Sequence, residues 1–137
     1  MLELENLNYL AIIVATLTNV ILGSWWYSPA GLGKKWSKMT GVDIMKSPKQ
    51  ETQRAIMAVF ASAIVQAFIL AVVIKSLGVT NALDGAIVGI ALWAGFVAAT
   101  SLGDALYSRR GWGFWWLNAS FFLIIMVVNS LIIAVWN

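Results

Sequence analysis

One carboxylate in this chain stands well inside an apolar stretch: Asp104, with Thr100 four residues before it. On a helix that spacing is one turn, so a hydroxyl and an acid share a face. An acid held at membrane depth either pairs with a cation or serves the passage of a proton or small ion. Other polar side chains recur at helical spacings in apolar runs. Thr16 and Asn19 fall about 60° apart on a helical wheel, Ser62 and Gln66 one turn apart, and Asn118 and Asn129 within about 20° of each other. Two chemistries fit such stripes. One is interhelical hydrogen bonding, worth roughly 0.6–2 kcal/mol per contact in a bilayer. The other is a path for a solute or ion. Both stay open for Thr16, Asn19, Gln66, Thr100, Asp104, Asn118 and Asn129.

Asp104 is expected near the C-terminal end of its helix, where the helix dipole prefers a cation. A partner from another element is therefore expected, and Lys34, Lys35, Arg109 and Arg110 are the cations on that side. An interfacial ion pair is the first expectation; a proton- or cation-coupled site is the alternative. Little other chemistry is available. Histidine and cysteine are both absent, which removes imidazole acid–base catalysis, thiol nucleophiles, disulfides, ordinary haem ligation and most zinc sites. Ser76 beside Lys75 is adjacency at a helix end, not a catalytic dyad. Gly31–Lys34 reads GLGK but lacks the spacing and hydroxyl residue of a phosphate loop. The expectation is a protein without catalytic activity, cofactor or metal.

The elements that must position these residues are membrane spans. Of 137 residues, 61% are hydrophobic and 11% charged, against roughly a quarter charged in soluble domains. Four apolar runs, Leu7–Tyr27, Thr52–Leu77, Ala82–Tyr107 and Gly113–Trp136, each approach or exceed the ~20 residues that cross a hydrocarbon core. The prediction is an all-α polytopic membrane protein, one domain over 1–137, with four transmembrane helices in an antiparallel bundle. Short connections after Leu77 and Tyr107 make the second, third and fourth spans sequential antiparallel neighbours. The leader MLELEN is acidic, so the first span is expected to be retained and not cleaved as a signal peptide.

Charge sets the expected orientation. Lys34, Lys35, Lys38, Lys46, Lys49 and Arg54 lie in or beside the first connection, 28–51, and Arg109 and Arg110 in the third; only Lys75 falls towards the other side. Retention of positive charge on the inner side then predicts both basic connections in the cytoplasm and both termini outside, in the cytoplasmic membrane. The net charge of +3 is accounted for by lipid headgroups, so no nucleic-acid partner is expected.

The exit of the first span is the most patterned stretch. Trp25, Trp26 and Tyr27 suit the headgroup layer, and Lys34, Lys35 and Lys38 the water beyond it, with Arg109 and Arg110 matching them across the bundle. Leu32, Trp36 and Met39 recur at steps of four and three between the lysines. That spacing predicts a short amphipathic helix lying on an anionic leaflet, with an irregular basic loop anchored by Trp36 as the alternative. Leu22–Ser28 echoes Leu102–Ser108 eighty positions on, four residues of seven matching; a duplicated hairpin and chance explain this equally well. Gly85 and Gly89 form a small-residue pair that suits close packing, within the monomer or between copies.

Trp26–Pro29 (WYSP), then Gly33-Lys34, Trp36, Lys38-Met39 and Gly41, with Gly95-Phe96-Val97-Ala98 in the third span and Leu117-Asn118-Ala119 in the fourth, resemble the prokaryotic membrane family catalogued as domain of unknown function 1761. The resemblance implies the four-helix layout over nearly the whole chain and no assigned activity. Many members place a histidine soon after that asparagine, whereas Phe121 and Phe122 stand here. The expected role is a structural or accessory membrane subunit in contact with lipids and with copies of itself or other subunits. A small homo-oligomeric transporter or channel, using the polar stripe and Asp104, is the alternative. Small multidrug exporters offer a four-helix comparison, but they depend on a glutamate in the first span, and Leu7–Tyr27 has none.

Overall fold

In the computed structural model, which describes residues 1–136, five α-helices account for most of the chain. α1 spans Tyr9–Trp26, α2 Gly33–Thr40, α3 Lys49–Ser76, α4 Ala82–Tyr107 and α5 Gly111–Val135; a 3-10 turn at Ile44–Lys46 lies between α2 and α3. All but α2 are long and apolar enough to cross a membrane, and no strand occurs among the described residues.

Local chemistry sets the helix ends. The Asn8 side chain caps α1 by accepting from the Ala11 amide, 3.1 Å away. Asn81 caps α4 through the Asp84 amide at 2.9 Å, and its own amide donates to the Asp84 carboxylate at 2.7 Å. Asp84 thus sits where a helix dipole favours an acid. α3 stops in a Schellman turn: Gly78 takes φ +68° and the Val79 amide reaches back to the Ile74 carbonyl. α4 ends in the same way, with the Arg110 amide donating to Ala105 O, but the left-handed residue there is Arg109, at φ +64°.

α5 is the centre of the bundle. α1, α3 and α4 all pack against it, α1 also packs against α3, and α2 touches its first turns. Its buried residues run its full length, from Phe114 and Trp115 through Phe121 and Ile125 to Ile133 and Ala134. The antiparallel order follows the sequence, but α3 and α4 make little direct contact despite their short connection. The Gly85/Gly89 pair is used inside the monomer. A Cβ at Gly85 would lie 2.7 Å from Ala134 Cβ, and one at Gly89 would lie 2.6 Å from Met126 O, so these glycines let α4 touch the α5 backbone.

Candidate functional site: a cleft at the basic end

The first and third connections lie at one end of the bundle, here termed the basic end. Its scaffold is the turn after α1. Leu32 N donates to Trp26 O at 2.6 Å and Gly33 N to Ser28 O at 2.9 Å. Side chains at Gly31 or Gly33 would collide with Trp25, Trp26 and Tyr27 carbonyls at 2.2–2.7 Å. The glycines therefore permit the reversal that brings α2 back onto the bundle.

That reversal turns Tyr27 inward. Its hydroxyl donates to the Asn118 side-chain oxygen on α5 at 2.7 Å. Phe121 lies edge-on to the Tyr27 ring at 5.4 Å between centroids, and Trp36 covers the ring at 6.2 Å. Gly23 keeps room for Phe121, whose ring would sit 3.3 Å from a Cβ there. Trp26 is also partly buried, 5.8 Å from Phe121, while Trp25 is exposed. Of the three aromatics expected at the headgroups, only Trp25 keeps a fully outward position. α2 exists as predicted, but Trp36 packs into the cluster of Phe114, Trp115 and Ala119. Its apolar face covers the foot of α5, while Lys34, Lys35 and Lys38 remain exposed.

Across the site, α4 departs from α-helical winding. Trp93–Ala98 form a π-helical stretch, in which the Ala99 amide reaches five residues back to Ala94 O. Widened turns of this kind often accompany functional sites. Indoles bridge α4 and α5 around it: Trp93 Nε1 donates to Ala119 O at 2.8 Å, and Trp115 Nε1 to Ser101 Oγ at 3.1 Å and Ala98 O at 3.2 Å. Just beyond lies a cleft of about 160 Å³, lined by Asp104, Arg110, Ser101, Asn118, Trp115 and Phe122 among others.

The WYSP turn, the Gly95–Ala98 stretch and the Leu117–Ala119 stretch thus meet in one place. The family model described as "Protein of unknown function (DUF1761)" matches residues 10–134. The chain belongs to this family. No curated protein matches it, and no solved structure does. In this DUF1761 chain, those three stretches close the basic end of the bundle.

The seven polar candidates do not form one lining. Asp104 and Asn118 share the cleft. Asn19 donates to Gln66 at 2.9 Å, joining α1 to α3. Thr16 bonds to its own helix at Ile12 O. Thr100, like Asp104, is exposed, and its hydroxyl bonds back to Phe96 O. Asn129 is 0% exposed and, with Ser130, lacks a hydrogen-bond partner among the described residues; it holds no helix through its amide. The ion pair expected at Asp104 is not formed among the described residues. Arg110, which lines the same cleft, instead lies over the Phe114 ring at 5.1 Å, and Arg109 is exposed. Ser101 and Trp115 were not singled out by sequence. Ser101 carried a signal, one turn from Ala105 and three residues before Asp104; the tryptophan resembled any belt residue.

Proposed function

We propose that this protein is a non-catalytic subunit, structural or accessory, of an assembly in the cytoplasmic membrane, with both termini outside. One observation supports this reading best: the first half of α3 is largely uncovered by the other described residues. From Gln53 to Ser62 every residue is exposed, with Met57 at 70% and Ile56 at 60%. Meanwhile the polar pairs Asn19–Gln66 and Tyr27–Asn118 are satisfied internally. A helix uncovered on every side at one end suits contact with a second copy or another subunit, with lipid filling the remainder. The reading needs no cofactor and no nucleic acid.

The transporter alternative has one observation in its favour, the unpaired Asp104 carboxylate in an open cleft. Native mass measurement in nanodiscs separates the two. The subunit reading expects a particle larger than the 15.0 kDa chain, reduced towards monomer by Ala58→Trp with helicity retained. A monomer, or an oligomer with ion flux that Asp104→Asn abolishes, overturns it.

A further inference from the structure

The cleft at the basic end has a gradient of polarity. Its rim carries Asp104, near the end of α4, and Arg110, at the foot of α5; its far wall includes Val97 and Phe122. Val97 stands seven residues before Asp104, about 10 Å along the helix. Tyr107 at the end of α4 and Trp112 and Trp116 in the first turns of α5 are exposed, and such aromatics settle at headgroup level. The rim therefore lies among headgroups and the far wall in hydrocarbon.

The charges at the rim are of opposite sign and not joined to each other. The carboxylate of Asp104 has no cation or donor among the described residues. The Arg110 guanidinium lies over the Phe114 ring, and its N–H groups have no acceptor among the described residues. A ligand satisfying both groups carries a cationic donor and an anion close together, with an apolar extension pointing along α4. The volume of about 160 Å³ is below the ~300–1,000 Å³ of drug-sized sites and suits a headgroup.

We propose that this cleft binds a zwitterionic phospholipid with a primary amine, Arg110 taking the phosphate, Asp104 the ammonium, and Val97 and Phe122 an acyl chain. Charge-assisted N–H···O bonds to the carboxylate require a protonated amine. A trimethylammonium headgroup has no N–H to donate, and a headgroup with only negative charge is opposed by Asp104. The site goes beyond the subunit reading and is independent of it: a monomer could show the lipid preference, and an oligomer could lack it.

The test is native mass spectrometry of the detergent-purified protein titrated separately with phosphatidylethanolamine, phosphatidylcholine and phosphatidylglycerol of matched chains. The wild-type protein should retain phosphatidylethanolamine about tenfold more tightly than either of the others, as one charged hydrogen bond allows. Asp104→Asn should erase the preference over phosphatidylcholine, and Arg110→Gln should weaken both zwitterionic lipids. Arg109→Gln should change neither. Equal retention of the three lipids by the wild-type protein overturns the proposal without reference to any variant. So does an unchanged preference in folded Asp104→Asn. Soluble phosphoethanolamine should not compete at concentrations matched to the lipid. If it does, the occupant is a free phosphoamine and the lipid assignment fails.

Discussion

At the scale of single residues, two amides on α5 have opposite fates. Asn118 accepts from the Tyr27 hydroxyl at 2.7 Å in a partly buried site, so removing the donor leaves an acceptor without its partner. Tyr27→Phe should cost about 1 kcal/mol in a reversible unfolding assay. A double-mutant cycle with Asn118→Leu should show that the two changes together cost less than their sum. Asn129 is fully enclosed and bonded to nothing among the described residues. Asn129→Leu should therefore leave stability unchanged or raise it, because a desolvated amide is exchanged for an apolar group. A loss of more than about 1 kcal/mol would mean that the amide has a partner after all.

Among the elements, α4 carries the sharpest contrasts. Gly89 faces the α5 backbone, where the nearest atom to an added Cβ is Met126 O at 2.6 Å, whereas Gly103 has nothing within 4 Å. Backbone cannot move aside as a flexible side chain can. Gly89→Ala should cost about 1–3 kcal/mol, and Gly103→Ala should raise stability by roughly 0.4–1 kcal/mol by restricting the unfolded chain. Thermal unfolding of the two variants side by side checks the contrast. If both behave alike, α4 does not rest on α5 through its glycines. The turn after α4 gives a second comparison: Arg109 adopts φ +64° where a Schellman turn favours glycine. Arg109→Gly should stabilise by up to about 1 kcal/mol, read as a raised melting temperature.

For the whole molecule, the arrangement about α5 places both basic connections at one end and Lys75 at the other. Lys75 donates to the Glu5 carbonyl at 2.8 Å and to that of Asn6. As one cation of nine, it does not outweigh the charge excess at the basic end. Because the chain has no cysteine, single cysteines at Lys38 and Asn81 can be labelled with an impermeant reagent in intact cells. Asn81 should react from outside, and Lys38 only after permeabilisation. Reaction of both from outside would exclude the four-span arrangement.

Length, hydropathy and charge by themselves determined the four spans, their antiparallel order and the short amphipathic helix, because each is a property of consecutive residues. The boundaries shifted by a few residues: α3 begins at Lys49 instead of Thr52, since Pro48 presets its start, and α5 at Gly111 instead of Gly113. Polar spacing also picked out Asn19 and Gln66, which do meet. Tertiary structure alone decided which faces meet. Nothing local says that α5 takes the centre, that α3 and α4 stay apart, or that Tyr27 turns from the headgroups to Asn118. The π-helical stretch was equally hidden, as was the cleft that Asp104 lines and Thr100, one turn earlier, does not. A helical wheel assumes constant winding and an unspecified neighbour, and here the winding changes and the neighbour is chosen by packing.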